Sequence, residues 1–598
     1  MPTFKRADQE QMEKAQDLLE GSVQELGFAK SLYFGRLKLD EVMPYPRQDI
    51  DEAKRTDELI VQVEAFLKEH VDADLIDREE RIPQHVIEGL GKLGVLGMVV
   101  PKEYGGGGFS HTAYCRVLER ISMHCASTGV MIGAHQSIGC KALVLLGTEE
   151  QKKTYLPMLA SGTLSAFCLS EPEVGSDAAN VQTTAVLSKD GSHWILNGDK
   201  KFATNAALAG MLTVMAKNKM IDKKTGKEKE KVTAFIVTPD MPGFQIISPN
   251  RSKMGIRGTW QGTLRFTNMK VPTENVLGEV GKGLKVALGV LDYGRCTLSG
   301  GCVGGAKKAM EFAVKRAQTR KQFGRAIGEF HLIKEKIADM AEMIFAMDAV
   351  TYLAAGAVDR HKGDIMLETA MAKIFCSEGL WKIVDDTLQI WGGEGYMREH
   401  GIERMLRDAR INRIVEGATE VMVAFVALVG MKGVGEEFEA VLKAGKHPIE
   451  NFGRLKQFAR SQWSDVVMGP SFTGLHKDLA DEGATLARLT RSLARSVNRL
   501  LTKYKHRILD MEMLHQRVAW AAVEIYAMAA VISKLQTMAG HSDGNGHGDV
   551  SNQMLIGKTY CHHAAERIER RLATLFDNLD KETIKVADAI LGKLSSEE

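Results

Sequence analysis

The chain reads as mainly helical with one β domain inserted into it. Three observations predict this. Only 13 prolines occur in 598 residues, alongside 29 methionines, a balance that favours long helices. Apolar residues recur at helical spacing early in the chain, as at Ile60, Val63, Phe66 and Leu67. In a middle stretch the pattern changes to β-branched and aromatic runs, such as Lys231-Val232-Thr233-Ala234-Phe235-Ile236-Val237-Thr238 and Gly262-Thr263-Leu264-Arg265-Phe266.

In chain order, residues 1–50 form a polar, helix-prone N-terminal extension that ends in the turn-rich Met43-Pro44-Tyr45-Pro46. Residues 51–165 make an N-terminal α domain, with Pro101 to Gly108 as a loop. Residues 166–280 make a barrel-like middle β domain. Within it, Trp194 to Phe202 is expected as strand, turn, strand about Asn197-Gly198, and the lysine-rich 217–231 stretch as a solvated hairpin loop. Residues 281–430 return to helix and carry Gly294, Gly300, Gly301, Gly304 and Gly305. Each glycine costs a helix about 1 kcal/mol relative to alanine, so the run points to helices or a ligand packed very close. Residues 431–475 read as a linker with a membrane-contact segment, and 476–598 as an extra C-terminal helical domain. Leu479, Leu486, Leu489, Leu493, Val497 and Leu500 form its apolar stripe, with Arg488, Arg491, Arg495, Arg499 and Lys503 opposite as a solvated face.

Composition sets further bounds. At 598 residues the chain exceeds one hydrophobic core. A formal net charge of +2 argues against a general nucleic-acid binder. None of the 8 cysteines makes a Cys-x-x-Cys pair, so no metal centre is expected, and reduced, buried thiols suit a reducing compartment. The start of the sequence lacks an apolar signal core, and no apolar run is expected to span a bilayer.

One carboxylate stands out. Glu416 lies in Asn412-Arg413-Ile414-Val415-Glu416-Gly417-Ala418-Thr419-Glu420, between an apolar pair and a glycine. Desolvation by Ile414 and Val415 would raise its pKa and its strength as a base. Gly417 would let a substrate backbone come close.

Other short segments accompany it: Phe167 to Asp177 with Ser170-Glu171-Pro172 and Gly175-Ser176, then Lys201-Phe202-Ala203-Thr204-Asn205. Arg320-Lys321-Gln322-Phe323-Gly324-Arg325 and Gln389-Ile390-Trp391-Gly392-Gly393 follow. In this order and spacing, over about residues 50–430, they closely resemble the acyl-CoA dehydrogenase family. The very-long-chain branch, which carries an extra C-terminal helical domain, is the nearest in form.

The resemblance implies an FAD enzyme with an α domain, a β domain and a second α domain. It implies that Glu416 is the catalytic base. It implies flavin contacts from Phe167, Leu169, Ser170, Ser176, Phe202, Thr204, Ala418 and Glu420. It further implies that Arg320, Gln322 and Phe323, with Gln389, Gly392 and Gly393, meet the FAD across a homodimer. Ser176, Asp292, Gly294, Arg295 and Gly417 take substrate-binding positions. Phe202 in place of tryptophan, Ala418 in place of threonine, Glu420 in place of an aspartate and His331 in place of glutamine depart from the pattern.

The implied reaction is α,β-dehydrogenation of a long-chain fatty acyl-CoA to the trans-2-enoyl-CoA, in fatty acid β-oxidation. Glu416 takes the α-proton, a hydride passes to flavin N5, and electrons go on to electron-transfer flavoprotein. Gly294 leaves Glu416 without a rival base at that position and deepens the acyl tunnel. Acyl-CoA oxidase or flavin hydroxylase activity stays open through Phe202, and so does an assembly or scaffold role for the C-terminal domain. Ile449, Phe452, Leu455, Phe458 and Trp463, with Arg454, Lys456 and Arg460, suit an interfacial helix on an anionic membrane. The expected location is cytoplasmic with peripheral contact on the inner membrane face, or the mitochondrial matrix in a eukaryote.

Overall fold

The structure is a computed structural model that describes residues 26–221, 226–360, 364–445, 474–540 and 547–594. Packing divides the described chain into two units, one of Pro46–Ala418 and one of Leu26–Tyr45 with Thr419 onward.

The first unit opens with helix α1 (Ile50–His70), whose N-terminus is closed by Asp49 accepting from the Asp51 and Glu52 amides. Its buried face is Thr56, Leu59, Val63 and Leu67, in keeping with the sequence periodicity. Helix α2 (His111–His124) is capped by Ser110, and Asp359 also accepts from the His111 and Thr112 amides. Helix α3 (Ala126–Gly133) runs into a π-helical stretch at Ala134–Cys140.

The sheet has eight strands: β1 (Leu164–Cys168), β2 (Thr184–Leu187), β3 (His193–Thr204), β4 (Ala209–Ile221), β5 (Glu228–Val237), β6 (Phe244–Ser248), β7 (Gln261–Pro272) and β8 (Val276–Leu277). They lie in the order β6-β7-β3-β2-β4-β5-β8, with β1 parallel to β4. Strand β4 is buried on both faces. Leu212, Val214 and Ala216 pack into the sheet's own core with Phe235, Leu264 and Phe266, while Met211 and Met215 join the core shared with the helices.

Two expectations for this region change. Asn197-Gly198 is no hairpin turn. It is a register shift inside the continuous strand β3, where a Cβ on Gly198 would lie 2.6 Å from the Thr183 hydroxyl. The lysine-rich stretch is mostly strand, since β4 and β5 stay paired as far as Ile221 and Glu228. Charged side chains on the outer face of a two-stranded ribbon carry no hydrophobic alternation to announce it.

Helices α4 (Gly283–Thr319), α5 (His331–Asp359), α6 (Met366–Trp391) and α7 (Ile402–Arg410) complete the unit. The α4 glycines split by purpose. At Gly300 and Gly304 a Cβ would stand 3.3 Å from the Cys115 carbonyl oxygen and 2.2 Å from that of Glu119, so these two let α4 lie directly on α2.

A buried ion pair fixes the chain as it leaves β1. Lys200 Nζ lies 2.6 Å from Glu171 Oε1 and donates to the Leu169 carbonyl at 3.2 Å, while Glu171 also accepts from the Gln182 and Thr183 amides.

In the second unit, helices α8 (Thr419–Gly445), α9 (Ala480–Tyr504), α10 (Glu512–Ala539), α11 (His547–Ala573) and α12 (Asp580–Leu594) are joined by residues 26–45. Tyr33 from that strap donates to the Val426 carbonyl at 2.9 Å, and Ser533 donates to the Val42 carbonyl. The whole leucine stripe of α9 is buried. The basic residues opposite are engaged as well as solvated: Arg488 pairs with Glu569 at 2.7 Å, and Arg499 stacks over Phe576 at 3.9 Å.

Contrary to expectation, three helical stretches among the described residues are long and apolar enough to cross a membrane: Ala126–Leu146, His331–Asp359 and Glu512–Ala539. Their apolar windows are 61%, 67% and 89% buried, so much of that apolar surface already faces protein. The proposed membrane segment lies outside the described residues.

Lys200→Met would leave Glu171 buried without its counter-ion. We expect a loss of stability of about 3–5 kcal/mol, measured by urea unfolding, with the far-ultraviolet dichroism of the folded form unchanged.

Candidate active site

After α7 the chain turns through Ile411–Arg413 and reaches Glu416, whose φ of 57° puts a side-chain-bearing residue in the left-handed region. Gly417 follows at φ 98°. Two buried cations hold this loop by its carbonyl oxygens. Arg295 Nε, from α4, donates to the Glu416 carbonyl at 3.2 Å. Lys373 Nζ, from α6, donates to the Gly417 carbonyl at 2.6 Å. No hydrogen bond from the Glu416 N–H is made among the described residues.

The carboxyl group lies against α4. A Cβ on Gly294 would be 3.0 Å from Glu416 Oε2 and 3.1 Å from Oε1, so that glycine makes the room the carboxylate occupies. Oε2 is shut off from solvent and has no hydrogen-bond partner. Burial pushes the Glu416 pKa up to about 7, although Arg295 and Lys373 pull against it. Beneath, Asp292 accepts from Arg295 Nη1 at 3.1 Å, and burial raises its own pKa to about 6.

Glu416 opens on a cavity of about 230 Å³ that all three layers of the first unit enclose. Thr204 reaches it from the end of β3, and Gly129 and Gly133 from α3. Gly294, Gly301 and Gly305 form its wall on α4, with Leu380 and Val384 from α6 and Met405 and Ala409 from α7. The β domain is tied to α7 at its edge, where Asp408 accepts from the Ile256 amide and Arg407 donates to the Met254 carbonyl at 2.9 Å.

Of the residues singled out in the sequence, Glu416, Gly294 and Thr204 meet at this cavity. Phe167 is buried in β1, and Leu169 and Ser170 follow it above the Lys200–Glu171 pair. Phe202 is 53% exposed at φ 60°, on a register shift of β3 that turns its ring outward under Lys201. Ser176, Arg320, Gln322, Gln389, Gly392 and Gly393 are exposed, and Phe323 is 93% exposed at φ 49°. Gly417 and Ala418 continue the Glu416 loop, whereas Glu420 is exposed on α8 of the second unit.

Asp292 and Arg295 are buried under the Glu416 loop, where Arg295 donates to the Glu416 carbonyl and Asp292 accepts from Arg295. Lys373 was missed altogether. Its signal is a lone lysine in Ala370-Met371-Ala372-Lys373-Ile374-Phe375-Cys376, an apolar run that ought to exclude a charge. A buried group of His111, Cys115 and Cys296, with ligand atoms within 4.8 Å of one another, also has no signature in the spacing.

Comparison with known proteins agrees with this architecture. Residues 54–163, 166–269 and 281–430 match the acyl-CoA dehydrogenase N-terminal, middle and C-terminal domains. The chain belongs to the acyl-CoA dehydrogenase family and is an enzyme of that class. Its second unit places it further: residues 477–597 match the ACAD9/ACADV C-terminal domain. It is 39% identical to the mitochondrial very long-chain specific acyl-CoA dehydrogenase of Bos taurus, over 92% of this chain and 84% of that one. It is 33% identical to the probable acyl-CoA dehydrogenase FadE10 of Mycobacterium tuberculosis, over 94% and 88%. The crystal structure of an acyl-CoA dehydrogenase from Bacillus anthracis, complexed with FAD, superposes with a TM-score of 0.77 at 29% identity, covering 93% of this chain and 94% of that one.

A side chain at position 294 would push the Glu416 carboxylate off its seat. Gly294→Leu is expected to lower dehydrogenase turnover by about 10²-fold, the scale of a misplacement near 1 Å, with no change in the melting profile of the β domain. A steady-state assay beside differential scanning calorimetry checks both.

Proposed function

We propose that this enzyme dehydrogenates long-chain fatty acyl-CoA thioesters to trans-2-enoyl-CoA, with FAD as cofactor and Glu416 as the base that removes the α-proton. The observation that carries the reading is the unpartnered, buried Oε2 of Glu416, facing the same cavity as Thr204. A carboxylate with a pKa near 7 is matched to proton removal at neutral pH. Its poor solvation leaves it basic, and its loop is already held, so little reorganisation accompanies the transfer.

The residues present fit FAD. Thr204, Phe202 and the loop through Phe167, Leu169, Ser170 and Ser176 would hold its flavin half beside the cavity. Arg320, Gln322, Phe323, Gln389, Gly392 and Gly393 are exposed, as residues reaching the cofactor of a second copy would be. When bound, FAD supplies the acceptor for the hydride that leaves Cβ.

The protein's own groups do the rest. Glu416 takes the α-proton onto a carboxylate oxygen. The Glu416 N–H, which makes no hydrogen bond among the described residues, is available to the thioester oxygen. Apolar walls from α6 and α7 exclude water from the reacting carbons. Glycines in the wall favour a long acyl chain because they add no side chain to the cavity, most clearly Gly133, where a Cβ would meet nothing within 4 Å. Electron-transfer flavoprotein is the proposed electron acceptor, and the mitochondrial matrix the proposed location in a eukaryotic host. The exposed Phe202 is the one feature favouring oxygen as acceptor instead, and peroxide formed under air measures that.

Glu416→Gln should abolish turnover and leave the bound flavin spectrum in place. In the unaltered enzyme kcat/KM should rise with pH through about 7, because only the ionised carboxylate accepts a proton. Retained turnover in the glutamine variant would disprove the assignment of the base. Separately, turnover across saturated C4 to C20 acyl-CoAs should peak at long chains, and a maximum at C4 would rule out the long-chain reading.

A further inference from the structure

Lys373 is fully buried, yet no carboxylate lies within ion-pairing distance of it among the described residues. Its ammonium group donates to the Gly417 carbonyl. An ammonium ion held in the interior without a counter-ion is costly, and burial pulls its pKa down to about 8. The groups facing it come from three elements. Cys302 and Arg295 lie on α4, Glu416 on the loop after α7, and Glu378 on α6 itself. The Cys302 thiol is pushed well up by burial and stays neutral. Arg295 carries a like charge and is paired with Asp292. Glu378 is engaged by Arg413 Nε at 2.7 Å. Glu416 is left as the anion that Lys373 can favour.

We infer that Lys373 is a positioning residue for the dehydrogenation: it pins the loop at Gly417 and its charge keeps Glu416 ionised. This rests on the reading of Glu416 as the base. The lysine touches no reacting atom. It acts through two routes that substitutions can separate, the hydrogen bond to the Gly417 carbonyl and the field beneath the carboxylate. Removing the cation disfavours the carboxylate form, so the Glu416 pKa must rise. Because the two groups interact, the titration seen belongs to the pair.

The test is the pH profile of kcat/KM for three variants, each with flavin content read from its visible spectrum and stability from calorimetry. Lys373→Gln keeps a donor for the carbonyl and loses the charge. Lys373→Met loses both, and Lys373→Arg keeps both. We expect the acid limb to move up by about one pH unit in the glutamine and methionine variants, with kcat lowered more than KM is raised, and to return in the arginine variant. Should the methionine variant fail to fold, the glutamine and arginine pair decides alone. An acid limb that stays put in Lys373→Gln, whatever happens to stability, overturns the inference. Glu416→Gln keeps this apart from the parent reading: if it is inactive while the limb does not move, only the role of Lys373 falls; if it is active, the base assignment falls and this inference with it.

Discussion

The site depends on a carboxylate kept out of water with one oxygen unpaired. Left alone, such a group would turn towards solvent or take a proton, because burial without a partner costs the charged form several kcal/mol or more. Here the loop is held from below by the Arg295 and Lys373 hydrogen bonds to consecutive carbonyls. The two cations return part of the lost solvation as field, and the pKa stops near 7. A lower value would give a weak base, and a much higher one would leave the group protonated at neutral pH. Charge placed under the peptide and not against the carboxylate achieves the intermediate value while leaving Oε2 unpaired.

That arrangement constrains α4 in turn. The helix presents glycine to Glu416 at position 294, glycine to the cavity at 301 and 305, and glycine to the backbone of α2 at 300 and 304. Each weakens the helix intrinsically. The helix survives because its flanks are packed: Val286, Val290, Cys302, Val303, Ala306 and Ala309 are all buried, so tertiary contacts outweigh propensity. The glycine run thus divides between helix packing, at 300 and 304, and the cavity wall, at 294, 301 and 305.

Much of this was legible in the sequence for stated reasons. The helical periodicity of α9 reports burial faithfully, and that of α1 marks the face that meets the core, with Val63 and Leu67 buried and Ile60 and Phe66 half-buried beside them. Glu416 could be read because its environment, Ile414, Val415 and Gly417, is contiguous in sequence. Lys373 could not be read as part of the site, since its partner at Gly417 lies 44 positions away. The Asn197-Gly198 step misled because that dipeptide is the usual mark of a hairpin, and only the cross-strand neighbour Thr183 makes it a bulge. Arg295 could be associated with the site by resemblance, but its hydrogen bond to the Glu416 carbonyl, 121 positions away, leaves no mark in the sequence.

Backbone strain supplies an argument that no motif contains. Among the described residues, eight non-glycine positions have positive φ: Glu80, Phe202, Asn205, Ile256, Asn268, Phe323, Glu416 and Lys505. Glu416 and Ile256 line the same cavity, whereas Phe202 and Phe323 are exposed away from it. Each such residue costs of order 1–3 kcal/mol and persists only where its surroundings over-determine it. For Glu416 the surroundings are two cation-held carbonyls and a glycine wall; for Ile256 they include an amide held by buried Asp408. For Phe202 they are a strand forced out of register between two paired segments. At Glu416 and Ile256 the strain is sustained by buried polar groups, which a search for catalytic residues alone passes over.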